Sequence, residues 1–356
     1  MPINIKANSD GVSGAIQING LDAITFGSSG IITGGNSIVP SFFYKVDADS
    51  AAFVKTSAST AQIKAGTVVG FADAPTIKFT AATDILMPAL VAGTDYAVWC
   101  NRDLTVQATA NFITAPQVGA RRIGGFHYAP GGNATAQSGG NTTPQINEYS
   151  FWDVKYRPVC QDPRGMTRVG RSIWSDIYLC GVDHHINGTS KYNVTIADGS
   201  SPPKRALDFG GNGTLTYADG NWWNFAEIAY AYGKRLPTYA EFSALAYGTT
   251  EASSVGADPV STILNAAYTS KWGVVQSTGC LFTWGDEFGG GAAAASWSAN
   301  TQGRGSTFQM ENAPLLGGGW GVTSNAGSRC SSWLLAASNS LDNIGSRFVC
   351  DHLSLE

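Results

Sequence analysis

Charge is what this 356-residue sequence has least of. Asp, Glu, Lys and Arg together make up 13% of it, about half the roughly 25% of an ordinary globular chain. The formal net charge is -4 and no run or stripe of Lys and Arg occurs. Nucleic acid is therefore excluded as an expected partner, because holding a phosphate backbone takes clustered cations. No apolar stretch approaches the roughly 20 residues needed to span a bilayer, so no membrane insertion is expected. The opening Met1-Pro-Ile-Asn-Ile-Lys6 has no apolar signal core, which points to a protein made in the cytoplasm without a signal peptide. Six cysteines (Cys100, Cys160, Cys180, Cys280, Cys330, Cys350) contain no C-x-x-C pair. That spacing argues against zinc and for reduced, mostly buried thiols. Gly-x-Ser-x-Gly, P-loop and His-Glu-x-x-His strings are missing too.

What is present is apolar and aromatic material in a Gly-rich chain: 43% hydrophobic residues, 43 Gly, 10 Trp and 13 Tyr. The length suggests two or three domains at roughly 100–200 residues each. A surface poor in charge must be covered by Ser, Thr, Asn, Gly and aromatic rings. That is the chemistry of tight β structure and of paratope-like contact surfaces; a rigid Gly-rich β protein without such a surface stays open as an alternative at this point.

The chain divides into three stretches. Over residues 1–40, Ser13–Gly20 and Ala23–Phe26 read as short strands between turn glycines. So small a segment needs partner chains to bury a core. Over 41–147, Thr76–Thr80 alternates, and Tyr96–Cys100 followed by Leu104–Ala108 reads as a hairpin; short strands with regular turns suggest a β-sandwich. Gly131 to Thr143 reads as a long loop or linker. Over 148–356 the only convincing helices appear. Trp222–Gly233 has Asp219 and Asn221 as cap candidates and Gly233 as the glycine past its end. Pro237–Gly248 carries a capping box in Thr238 and Glu241, with Phe242, Leu245 and Ala246 on one face. Loops and short strands such as Cys280–Trp284 follow. The fold class is α+β, mostly β.

Individual polar sites point away from metal or acid–base chemistry. His184 and His185, read as neighbours on a strand, point to opposite faces and suit one ion poorly. His352 beside Asp351 reads as a structural hydrogen-bonded pair, and His127 as an ordinary strand residue. Asp286 and Glu287 read as a solvated or Arg-paired loop, with Arg304 and Arg329 as candidate partners. Glu311-Asn-Ala-Pro314 has the wrong order for a calcium-lectin sugar motif. No cofactor is expected; a structural calcium or magnesium ion is the alternative.

Several strings occur in order and carry a resemblance: Lys234-Arg-Leu-Pro-Thr-Tyr-Ala-Glu-Phe242, Thr283-Trp-Gly-Asp286, Leu316-Gly-Gly-Gly-Trp320, Ser328-Arg329 and Gly345-Ser-Arg-Phe348. They resemble the formylglycine-generating-enzyme branch of the C-type-lectin fold. Closer still is the similarity of IKAGTVV, MPALVAGTDYAVW, NEYSFWDVKYRP, DPRGMT, GKRLPTYAEFSALAYGTTEA, SKWGVVQSTGCLFTWGDEFGG and VCDHLSLE to the major tropism determinant family. Those are phage tail-tip receptor-binding proteins diversified by a retroelement. The match runs from about residue 40 to 356; the N-terminal segment resembles a generic tail-fibre piece.

The resemblance implies a small N-terminal β-prism-like trimerising segment (1–40), a β-sandwich (41–147) and a C-type-lectin-fold domain (148–356) with a variable region at about 315–347. It implies a homotrimer at the virion tail tip that binds a host-surface receptor of protein class and contacts other tail-fibre proteins. Position by position, the display residues would be Gly319, Gly321, Val322, Thr323, Asn325, Ser332, Leu334, Leu335, Asn339, Leu341, Asn343 and Ile344, with Trp320 and Trp333 as fixed scaffold aromatics. Adenine-directed mutation of AAC codons cannot produce Lys, Glu, Gln, Met or Trp. Between Gly319 and Ile344 there is no Lys, Glu, Gln or Met, and the two tryptophans are those scaffold positions. An enzyme of the formylglycine-generating type would need two closely spaced cysteines near the C-terminal end, whereas Cys330 stands alone there. A bacterial surface-display protein on the same fold is the other alternative. The expectation is a binding protein without catalysis.

Overall fold

The computed structural model describes residues 42–71, 74–289 and 312–353, together with the strands Ile3–Ala7, Gly14–Ile18, Leu21–Phe26, Trp297–Ala299 and Ser306–Phe308 and the residue Arg304. It is mostly β with a few helices, arranged as several sheets. The first three strands form an antiparallel meander in which Ile5 faces Ile16 and Ala15 faces Thr25.

The largest sheet has eight strands. Arg121–Ala129 and Thr94–Cys100 run antiparallel at its centre, and Val106–Thr109 pairs with the other edge of Thr94–Cys100. The alternation legible in the sequence is the reason: Val98, Val106, Ala108, Ile123 and Phe126 are all buried. They pack with Phe53, Ile63, Ile85, Phe151 and Trp152 and with Phe43, Val69 and Ile77 of a small three-stranded sheet. Gly124 is a requirement of this packing, since a Cβ there would lie 2.2 Å from the Trp152 carbonyl oxygen of the strand crossing over it.

The same core continues past residue 147 into Cys160, Met166, Trp174 and Cys350, so the second and third stretches share apolar packing. A buried polar chain joins them as well. His127 sits with Nδ1 3.0 Å from Asp95 Oδ1 and Nε2 2.9 Å from the Tyr178 hydroxyl, so it is a junction residue and not an ordinary strand position. Residues 131–143 are not a free linker either. Ala134 N–H donates to Ser270 O and Gly139 N–H to Gly248 O, at 3.1 and 2.8 Å, which lays the loop down on the C-terminal stretch and satisfies its backbone.

In that stretch, Met166–Val169, Ile173–Asp176 and the terminal Val349–Asp351 make one sheet. A second has the order Ser331–Ser332, Leu315–Leu316, Phe282–Trp284, Ile344–Gly345. Among the described residues three α-helices accompany them: α1 (His184–Asn187), α2 (Trp222–Ala231) and α3 (Tyr239–Leu245). Helix α2 is capped by Asn221, whose side chain accepts from Asn224 N–H, and Gly233 follows its end at φ +65. Helix α3 has the full capping box of Thr238 and Glu241, and Phe242, Leu245 and Ala246 are buried as its periodicity requires. Arg347 is wholly buried and donates to the carbonyls of Asp176, Ile177, Val275 and Gln276, so one guanidinium ties its own segment to two others that are distant in sequence. No helix among the described residues is long and apolar enough to cross a membrane.

Several local expectations are corrected. His184 and His185 lie on the single-turn helix α1 and not on a strand. The His184 ring is buried between Lys204 O at 2.6 Å and the Tyr232 hydroxyl at 3.3 Å, and burial lowers its pKa. Asp351 and His352 do not pair with each other. Asp351 accepts from Arg235 at 2.8 Å, while His352 Nδ1 accepts from the Trp174 indole N–H at 2.9 Å. Arg304 pairs with Glu227. Glu287 instead accepts from Tyr239 N–H at 2.8 Å, and burial raises the Asp286 pKa. Among the described residues no group of three or more metal-ligating side chains converges. All six cysteines are free thiols and all but Cys330 are buried.

Candidate functional site: a loop face held by backbone

The segment 317–343 leaves the four-stranded sheet and returns to it at three fixed points. Leu315 and Leu316 pair with Ser332 and Ser331, and both flank Phe282–Trp284, which on its other edge pairs in parallel with Ile344–Gly345. Two loops result, 317–330 and 333–343. Neither has room for regular structure beyond a 3₁₀ turn at Thr323–Asn325.

The first loop is closed by Gly317 N–H to Cys330 O and Gly327 N–H to Gly317 O, at 2.9 and 3.1 Å. It is backed by a neighbouring segment. Ser254 Oγ donates to Trp320 O at 2.8 Å and accepts from Thr323 N–H at 3.2 Å, and Glu251 accepts from both the N–H and the hydroxyl of Ser328. The second loop is held from below by Asn312, whose amide donates to Trp333 O and Leu334 O at 3.0 and 2.8 Å. Ala313 N–H bonds Leu335 O, Trp222 N–H bonds Ala337 O, and Gly199 N–H bonds Leu341 O. Gly199 allows this last approach: a Cβ would fall 2.6 Å from the Leu341 amide nitrogen.

These bonds run through backbone groups and through residues outside the twelve expected display positions. Among the described residues, the one hydrogen bond made by a side chain of the twelve is Asn339 Nδ2 to Ala336 O, within its own loop. Leu334 is 76% exposed and Leu341 45%. Gly321, Thr323 and Asn325 are also exposed, while Val322, Ser332, Leu335, Asn339 and Asn343 are partly so. Ten of the twelve therefore have side-chain positions reaching solvent along the two loops. The other two do not. Gly319 is buried, in a bridge with Cys280. Ile344 is 0% exposed and packs with Cys180, Trp284 and Phe348, because the strand pairing with Phe282 turns it inward.

The two scaffold aromatics, Trp320 and Trp333, are only partly buried; Trp333 leans edge-on against Tyr239 of α3 with centroids 6.5 Å apart and donates to Ser331 Oγ at 3.1 Å. Among the described residues, the fully buried tryptophans are Trp174 and Trp284. Of the residues that hold the loops, Ser254 and Glu251 are not singled out by the sequence, and Asn312 is read there only as part of the Glu311–Pro314 string. Each acts on chain distant in sequence, so no local spacing marks it. Cys330 sits at the base of the first loop with its thiol pKa raised by burial, which disfavours the thiolate a nucleophile needs. Two cavities of about 550 and 410 Å³ lie elsewhere, the first beside Cys160 and Lys234 and the second beside Asn133 and Tyr149.

Side chains that, apart from Leu335 packed against the core, carry little structural duty, on loops that the backbone fixes, describe a protein that presents a surface, as binding scaffolds do. Comparison with known proteins agrees. A family model described as "Mtd second domain" matches residues 51–153. A tail fiber receptor-binding protein of Bordetella phage BPP-1 is 54% identical over 334 residues, covering 90% of this chain and 87% of that protein. The solved structures of the Major Tropism Determinant M1 and U1 variants each superpose with a TM-score of 0.90 at 51% identity, over 99% of this chain and 95% of theirs; the P3c variant does so at 50% identity. The chain belongs to the major tropism determinant family, a family of receptor-binding proteins and not of enzymes.

Proposed function

We propose that this chain is a phage tail-fibre receptor-binding protein that recognises a host-surface ligand through Gly321, Val322, Thr323, Asn325, Ser332, Leu334, Leu335, Asn339, Leu341 and Asn343. The observation that carries this reading is the separation of duties in the two loops. The frame is hydrogen-bonded through backbone, Asn312, Ser254 and Glu251, while the side chains of the ten positions add one hydrogen bond, from Asn339, and the packing of Leu335 against the core. Such an arrangement tolerates changes of side chain without loss of fold, as retroelement diversification of the gene's 3′ end would demand. The reading keeps a C-type-lectin-type fold for 148–356, a β-sandwich for 41–147 and a β-prism-like segment for 1–40. It also keeps a homotrimer at the tail tip, which would present the face three times and add avidity to weak single contacts.

The test has two arms. Soluble protein is expected to block adsorption of the phage to its host, whereas a chain carrying Thr323→Ala, Asn325→Ala, Leu334→Ala and Leu341→Ala together blocks no better than buffer at an unchanged melting temperature. Sequencing the 3′ end of the gene across a natural population should show variation confined to codons in 319–344. Equal blocking by both chains, or variation spread evenly along the gene, rejects the proposal.

A further inference from the structure

We infer that Cys160 and Cys350 are a disulfide-forming pair, a reversible thiol–disulfide site that closes the chain's last strand onto the segment entering the C-terminal stretch. The argument begins with register. Pro158 bridges His352 in antiparallel fashion, Val159 N–H donates to Asp351 O at 3.0 Å and Leu353 N–H to Arg157 O at 2.8 Å. Residues 157 and 159 are thus in the hydrogen-bonded pairs, and 158 is in the alternate kind. Carried one step further, into the bend at 159–161, the same register sets Cys160 opposite Cys350 in the position of a non-hydrogen-bonded antiparallel pair, and the two lie in one packed cluster. In that kind of pair the Cα atoms stand about 4.5 Å apart and the side chains are close, inside the roughly 4.4–6.8 Å that a disulfide accepts.

Packing and electrostatics support the assignment. Both thiols are buried in one apolar cluster with Met166 and Trp174. Cys160 Sγ rests 3.5 Å from the Met166 sulfur. On one side Cys160 lines a cavity of about 550 Å³ with Asp162, Thr189, Gly233 and Lys234, which gives a small reagent a way in. Cys160 Sγ donates to Asp162 O at 3.4 Å; the neighbouring Cys350 thiol and the Lys234 ammonium hold the Cys160 pKa down, while Cys160 and burial push that of Cys350 up. Cys160 is therefore the attacking sulfur. The other buried cysteines lack this: burial pushes the Cys100 and Cys280 thiols up to about 12.

The oxidant is a small organic disulfide. The Cys160 thiolate attacks one of its sulfurs, and the first thiolate leaves as a mixed disulfide forms. Cys350 then gives up its proton and attacks the Cys160 sulfur, releasing the second thiol. Two protein thiols lose two electrons, one organic disulfide becomes two thiols, and both protons end on the released thiols. The ring closed is nearly the whole C-terminal stretch, so a rise in melting temperature of several degrees is expected on oxidation.

The inference does not depend on what the loop face binds. Its test uses the full chain carrying Cys330→Ser, which removes the one thiol that is not buried. After exposure to oxidised glutathione and alkylation in denaturant, two thiols should be protected, a peptide joining Cys160 to Cys350 should appear without reductant, and the melting temperature should rise and fall back with dithiothreitol. Adding Cys350→Ser should abolish the linked peptide and the shift. Full alkylation of every remaining thiol after oxidation, a different linked pair, or a glutathione adduct on Cys160 that never resolves would overturn the inference.

Discussion

Leu334 and Ile344 are ten residues apart in the same segment, both are aliphatic, and both were expected from sequence to be display positions. The structure separates them, so truncating each to alanine is a discriminating pair. Ile344 is 0% exposed within the cluster of Trp284, Phe348 and Cys180. Removing its side-chain carbons loses their transfer free energy and leaves a cavity, about 2–5 kcal/mol in total. Leu334 is 76% exposed. About a quarter of the ~1.5–3 kcal/mol for full burial is at stake there, so the loss is at most about 0.7 kcal/mol. At roughly 2–4 °C per kcal/mol for a unit of this size, Ile344→Ala should lower the melting temperature by about 4–20 °C and Leu334→Ala by less than about 3 °C. Thermal unfolding followed by near-ultraviolet circular dichroism measures both. Equal shifts, or a larger one for Leu334, would refute the division of the segment into a fixed strand and free loops.

Other consequences follow from single contacts. Asn312→Ala removes both bonds to the Trp333 and Leu334 carbonyls and should cost about 1–3 kcal/mol, with faster amide exchange confined to 333–337; protection unchanged there would deny Asn312 its clamping role. Tyr178→Phe leaves His127 Nε2 without its buried partner and should cost about 1–3 kcal/mol, and a double-mutant cycle with Asp95→Asn should show coupling; strict additivity would mean the chain is not a unit. The His352 pKa is lowered to about 4, first by burial and then by the charges of Arg168 and Lys45. Because the folded value lies below the unfolded one, the stability is complete above about pH 6.5 and drains away as pH falls toward 4. His352→Gln, which still accepts from Trp174, should flatten the stability–pH curve in that window by on the order of 2 kcal/mol after allowing for the wetted part of the ring; an unchanged curve contradicts this.

How much was legible depended on how far apart the cooperating residues are. The capping box of Thr238 and Glu241, the cap at Asn221 and the glycine after α2 were readable because each involves neighbours within one turn. The family landmarks around Lys234, Trp284 and Arg347 located the C-terminal stretch for the same reason. Contacts between distant segments were not readable. His127 meets Asp95 across the sheet and Tyr178 from the next stretch. The loop at 131–143 carries the composition of a linker, yet backbone bonds to Ser270 and Gly248 hold it down. The resemblance places Ile344 among the display positions, and nothing local in the sequence shows that pairing with Phe282 turns its side chain inward. Asp351 and His352 are adjacent on an extended chain, so their side chains go to opposite sides and find different partners.

The account rests on a frame whose stability is indifferent to the side chains of the loop face. The direct measurement is a library randomised together at Gly321, Val322, Thr323, Asn325, Ser332, Leu334, Leu335, Asn339, Leu341 and Asn343, with protease resistance read clone by clone against a second library randomised at Leu315, Leu316, Ile344 and Phe348. Most clones of the first library should resist protease as the parent does, and most of the second should be cleaved. Cleavage of most clones in the first library would contradict the claim.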